Sequence, residues 1–351
     1  MTAVGVHVLS FQADYRCRHS GRCCTSNWPI PVETSVFNHL AGAVDSGAVA
    51  VAGASGWHDR SDSGVLLGRT QGRCVFYTGS PSGGCAVHRA LGSGSLPEAC
   101  RQFPRQSVRD PRGVSIALSH YCPTAASLLT RDDDGPVTIR VGSPAFPVNA
   151  DYTGFDADTD IPPLLREDCL MEWDTWWHTE SRAIDLLTAH PESGLPRFGR
   201  AIEQLRRWRP GPTTLRASVD QAFDEAHNAD VTAWRPSPGL MQSRAIDILR
   251  AVPVPWRIEA KQALATRAPA PAARVRSRFL AAHAFANWTA YGGRGLRAWY
   301  RSVETAACLL WMTGDAGTVD LLVRHLADSS ALIARWSRAE LEPDYSSPMN
   351  G

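Results

Sequence analysis

The spacing of apolar and polar positions changes character near residue 160. From about residue 162 to 342, apolar residues recur three and four positions apart, as expected for helices that bury one face. This spacing predicts helices over 164–187, 197–208, 214–228, 239–251, 255–266, 271–290, 294–312 and 316–337. The first carries Leu170, Trp173, Trp177, Ile184 and Leu187 at near-helical intervals.

Before residue 150 the apolar runs are short and bounded by Gly, Pro and Ser. Residues 6–11 predict a strand. Thr34 or Ser35 is placed to cap a helix with Val36, Phe37, Leu40 and Val44 on one face. Residues 65–67 and 74–77 predict a strand pair, and 85–91 a short helix. Asp110-Pro111-Arg112-Gly113 is a turn sequence between two apolar runs, which predicts a hairpin. Pro123 suits the first turn of a helix reaching Leu129. Residues 151–163 are acidic, end in Pro162-Pro163 and read as a linker. The expected fold is α+β. A small, loop-rich cysteine-cluster domain with a few short strands (1–150) precedes a mainly helical domain (162–342).

The chain has 351 residues, 44% hydrophobic and 20% charged, which is globular composition with enough length for a sizeable core. Its formal net charge of +1 argues against general nucleic-acid binding. Residues 1–16 lack the pattern of a secretory signal, and no apolar run approaches the ~20 residues of a membrane span. The expected setting is therefore cytoplasmic and reducing, where clustered cysteines point to metal or redox chemistry before disulfides.

Such a cluster is present. Seven of the nine cysteines lie between residues 17 and 122: Cys17, Cys23, Cys24, Cys74, Cys85, Cys100 and Cys122. Thiolates are the ligands of zinc and of iron–sulfur clusters. Gly21 can supply a left-handed turn that folds the loop around its thiols. The vicinal pair Cys23-Cys24 is expected to diverge and serve two sites, or two irons of one cluster, better than one zinc. Cys122 precedes Pro123, and a helix N-terminus favours a thiolate.

The ordered pieces are Cys17-x-x-Ser20-x-x-Cys23-Cys24 with Trp28, Cys74-Val75-Phe76-Tyr77, Gly84-Cys85-Ala86-Val87-His88, Pro97-x-x-Cys100-Arg101-x-Phe103-Pro104-Arg105, and Ala117 through Cys122-Pro123. Together they resemble the CxxCxxCC cysteine-cluster (YkgJ-like) family of zinc- or iron-chelating domains, which includes flagellin lysine-N-methylases. The resemblance covers about residues 10–130. It implies that the seven cysteines ligate an iron–sulfur cluster, of the [4Fe–4S] type, or zinc. It also implies methyl transfer from S-adenosylmethionine to a lysine of a protein substrate. Ser20 stands where the family carries its second cysteine, so a ligand is missing; His19, His88 or His120 could replace it, or one metal position stays open. Two readings stand beside this one: a non-enzymatic zinc-stapled interaction module, and a metal-handling protein.

Other residues carry less. Arg101 and Arg105 flank Cys100 and are candidates for offsetting thiolate charge or binding an anionic cofactor group. Cys169, Cys308 and the tryptophans Trp173, Trp176 and Trp177 read as core. Arg274, Arg276, Arg278, Arg294, Arg297 and Arg301 read as a solvated helix face. Asp132-Asp133-Asp134-Gly135 lacks the later glutamate of a calcium loop, and Gly292-Gly293-Arg294-Gly295 lacks the strand of a nucleotide-binding turn. No residue identifies itself as catalytic.

Overall fold

A computed structural model of the chain describes residues 5–53, 56–61, 64–79, 84–132, 135–148, 150–157 and 161–338. The fold is α+β, with the strands concentrated in the first half and helices in the second. Part of the Asp132–Gly135 turn lies outside the described residues.

Strand β1 (Gly5–Leu9) opens the chain, where residues 6–11 predict it. A one-turn helix α1 (Arg22–Thr25) and helix α2 (Thr34–Asp45) follow. Helix α2 begins at Thr34, buries Leu40 and Ala43, and receives no side-chain cap from its first residues. Four short strands come next: β2 (His58–Ser61), β3 (Gly64–Leu67), β4 (Arg69–Thr70) and β5 (Arg73–Cys74). Their pairing differs from expectation. Residues 64–67 pair with 58–61, and Cys74 pairs with Arg69, so 65–67 and 74–77 are not partners. Apolar runs mark strands but do not choose partners; here the tight turn at Gln71-Gly72 joins β4 to β5 locally.

Helices α3 (Ala86–Leu91) and α4 (Glu98–Gln102) lead into β6 (Arg105–Asp110) and β7 (Gly113–Leu118). These two strands form the predicted hairpin, in register from Arg105↔Leu118 to Asp110↔Gly113. Its turn is fixed by Asp110, whose carboxylate accepts the Arg112 backbone N–H at 3.0 Å. Helix α5 (Pro123–Ser127) starts at the proline as expected. Strands β8 (Ile139–Val141) and β9 (Phe155–Asp156) complete a five-stranded sheet in the order β8-β1-β7-β6-β9. The expected linker thus contributes an edge strand, parallel to β6, held by the Ser107 hydroxyl on the Thr153 carbonyl at 2.7 Å.

The helix expected at 164–187 starts later. Residues 164–170 form a small hairpin, β10 (Leu164–Arg166) and β11 (Cys169–Leu170), turned by an Arg166–Asp168 ion pair at 2.7 Å. Helix α6 (Trp173–Ala189) follows, then α7 (Gly194–Leu205), α8 (Leu215–Asn228), α9 (Pro238–Ala251), α10 (Arg257–Ala265) and α11 (Ala273–Ala284). Helix α11 stops short of residue 290 because Ala286 turns to φ 50° and gives its N–H to the buried Glu180 carboxylate at 2.9 Å. Helix α12 (Leu296–Thr313) is buried on nearly all sides and forms the axis of the helical layer. The segment expected as one helix over 316–337 is broken: α13 (Ala316–Asp320), a π-helical turn (Leu321–Leu326) and α14 (Ser329–Arg338). Among the described residues, no helix is long and apolar enough to cross a membrane.

Packing forms two cores. The larger joins sheet and helices, from Val8, Ile116 and Phe146 to Trp176, Phe279 and Trp299, and so draws from both sides of residues 151–163. The smaller lies within the cysteine-rich lobe and includes Leu40, Trp57, Phe76 and Val87 together with Cys24 and Cys74. Trp176 and Cys308 are fully buried, Trp173 and Trp177 pack against the large core, and Cys169 is half-buried. The arginine face is solvated only in part, with Arg294 exposed. Arg278 is buried on the carbonyls of Leu129 and Arg131, and Arg301 is buried on Glu304 at 2.7 Å. Arg276 lies over the Trp311 ring. Long arginine stems bury well when the charged head finds acceptors.

Candidate functional site

The seven clustered cysteines reach one place by different routes. Cys17 lies in the loop after β1; Cys23 and Cys24 sit on α1; Cys74 ends β5. Cys85 is the residue before α3, Cys100 lies on α4, and Cys122 precedes α5. All seven line a single cavity of about 430 Å³, and none is in a disulfide. Two glycines make this convergence possible. Gly21 takes φ 71° and has the Tyr77 ring against its Cα, leaving no room for a side chain. Gly84, at φ 131°, lets the chain before Cys85 approach His19, whose Cβ would stand 3.1 Å from an added Cβ.

The vicinal thiols do not diverge. Their sulfurs stand 4.0 Å apart, near the ~3.8 Å that two thiolates span on one tetrahedral zinc with bonds of ~2.3 Å. Among the described residues no three His, Cys, Asp or Glu side chains meet in a group that could hold a metal ion. The donor set fits a soft metal by chemistry, and its thiols draw together pairwise, Cys24 with Cys23 and Cys24 with Cys85.

The thiols differ in acidity. Cys85 is held down to about 7, first by the Cys24 thiol that donates to it and next, against burial, by the N–H groups of His88 and Val87. Cys24 is pushed up because it is the donor, to Cys23 and Cys85, and is buried. Its single proton serves one of them at a time. Burial raises Cys74 to about 11, and burial pushes Cys100 well above its ordinary value, with Cys23, Cys74 and Cys85 nearby adding to the cost of another negative charge. Burial also raises Cys17, which lies near Cys23 and Cys122. Tyr15, whose hydroxyl is 3.7 Å from the Cys122 sulfur, is raised first by burial and then by that sulfur.

Of the residues considered for the missing ligand, Ser20, His19 and His88 line the cavity, with the two histidine rings 4.6 Å apart. His120 does not. It is buried beneath the sheet, its Nδ1 on the Asp320 carboxylate at 3.0 Å. Arg101 and Arg105 both line the cavity. Arg105 donates to the Arg101 carbonyl at 2.9 Å and lies over the Phe146 ring, and neither arginine has a carboxylate partner among the described residues. Sequence reasoning did not anticipate Tyr15; a tyrosine two residues before a cluster cysteine was the signal.

The fold and site define an α+β protein with a thiol-lined cavity between a small cysteine lobe and a helix-backed sheet. Comparison of the chain with protein-family models, curated proteins and solved structures finds no match.

Proposed function

We propose that this chain binds a soft metal centre through its clustered cysteines, an iron–sulfur cluster of the [4Fe–4S] type or zinc. The observation that carries this reading is the convergence of seven free thiols on one cavity of about 430 Å³. A single ion needs far less room, which favours a polynuclear centre. The 4.0 Å Cys23–Cys24 separation favours the second reading, zinc as a structural tie. Cys17, Cys23, Cys24, Cys74, Cys85, Cys100 and Cys122 would hold the centre, with Arg101 and Arg105 offsetting thiolate charge or receiving an anionic cofactor group. When bound, an iron–sulfur centre supplies redox capacity or an open Lewis-acidic iron. The reading requires a reducing compartment, which fits a cytoplasmic protein that is neither membrane-spanning nor a general nucleic-acid binder.

The motif order extends the proposal to an enzyme, a methyltransferase that moves a methyl group from S-adenosylmethionine to a lysine of a protein substrate. Ser20, in place of a cysteine, would leave one position of the centre open for the cosubstrate.

The test is metal and acid-labile sulfide analysis of protein purified without air. Brown protein containing iron and sulfide supports the cluster, and colourless protein containing zinc supports the tie. Protein with neither metal, and unable to take up either on reconstitution, rules out the proposal. Calorimetry on the same preparation checks the extension: no heat with S-adenosylmethionine at millimolar concentration retires it.

A further inference from the structure

A second cavity, of about 320 Å³, lies against the first. The two share Cys23, Ile30, Cys100, Phe103 and Arg105 as a common wall. The volume is within the range of small-molecule sites, which are typically apolar with a few placed polar groups.

Its walls are aromatic. Trp28, Phe103 and Trp288 line it, with His325 stacked on Trp28 at 4.4 Å between ring centroids. The Trp28 ring also packs on Phe103 at 5.9 Å, so these rings form a fixed surface. Aromatic walls alone would suit a cation or an uncharged ring. The lining favours an anion over a cation, because Arg105 and Arg324 line the cavity and no carboxylate does. Arg324 is already committed to Asp320 at 3.2 Å and to the carbonyls of Leu118 and Ala282. Arg105 is not: it donates to the Arg101 carbonyl and has no carboxylate partner among the described residues. Burial holds the His325 imidazole down to about 4, so it is neutral near pH 7 and adds no competing charge. A guanidinium at the edge of an apolar cavity without a counter-ion is costly unless an anion completes it.

We propose that this cavity binds a small aromatic carboxylate, its ring among Trp28, Phe103 and Trp288 and its acid group on Arg105. The bound ring would rest against the Cys23–Cys100 wall and thus beside the thiol cavity. This assignment leaves Arg101 as the arginine that offsets thiolate charge in the proposed centre and gives Arg105 to the carboxylate.

Calorimetric titration of the protein as purified, with three probes of one shape, tests this. Indole-3-acetate is the anion, indole-3-acetamide its uncharged counterpart and tryptamine the cation. The acetate should bind at least about tenfold more tightly than the amide, the worth of one charge-assisted pair, and tryptamine should not displace it. Arg105→Gln should remove that preference, Arg105→Lys should keep part of it, and Trp288→Ala should weaken acetate and amide alike. Equal affinity for acetate and amide, or no acetate binding at millimolar concentration, overturns the proposal; so does tryptamine displacing the acetate. Metal content is measured on every sample, so a lost metal centre and a lost anion site are read separately.

Discussion

Cys85 is the residue where the chemistry of the cavity is most exposed to experiment. It has a donor in Cys24 and two backbone N–H groups, and it lies half-buried. In metal-free, reduced protein, iodoacetamide should label it with a pH midpoint near 7, whereas Cys74 should need a pH near 11. Mass spectrometry of timed samples reads both, and equal midpoints would contradict this description. The sign for stability follows from the same shift. A thiol whose acidity is increased by folding stabilises the native state fully above its ordinary value of 9.0, and that contribution is lost as pH falls through about 7. The cysteines were legible in the sequence because thiol density is compositional. The exclusion of His120 was not, since the carboxylate that holds it, Asp320, lies 200 residues away in sequence. Nor was the approach of Cys23 to Cys24, which depends on the one-turn helix α1.

At the level of elements, the break in the last predicted helix has a physical cause. The π-helical turn Leu321–Leu326 directs Arg324 and His325 inward, and α13 ends on Asp320, which is fully buried. Asp320 accepts from His120 Nδ1 at 3.0 Å and His283 Nε2 at 2.7 Å, and pairs with Arg324 Nε at 3.2 Å, while His325 Nε2 meets the Ser119 hydroxyl at 2.7 Å. This network joins the end of β7 to α11 and α13. Asp320→Asn should destabilise the fold by about 3–5 kcal/mol, because Arg324 would be left buried without its counter-charge. Burial holds His283 and His325 down to about 4. The neutral rings keep their full contribution above the ordinary 6.5, and stability should fall as pH drops from 6.5 through 4. Thermal melts of wild type and His325→Gln over this range check the claim: the variant should lose less, and parallel curves would contradict it. Periodicity found the apolar positions of 316–337 but could not detect the break. Arg324 and His325 look like surface residues until their buried partners, far away in sequence, are known. The hairpin at Asp110–Gly113 was legible because its turn chemistry is local.

At the scale of the molecule, the cavity lies between the two cores. Tyr15 and Cys122 belong to the large one; Cys24 and Cys74 belong to the small one, with Cys23, Cys85 and Cys100 packed against it. The lobe core is small, and folding entropy is large for a lobe so rich in loops. A centre ligated from both sides would tie lobe to body and contribute directly to stability. The α+β class was legible from the change in periodicity near residue 160, but the way the sheet and helices share one core was not, because packing partners leave no periodic trace. The central claim is that the seven clustered thiols serve a bound metal. The most direct measurement is a thiol titration of anaerobically purified native protein, repeated after chelation, with released metal counted in parallel. The account predicts that most of the seven are unreactive in the native protein and become reactive as iron or zinc is released. If all seven react at once in native protein, and no metal is released, the account is contradicted.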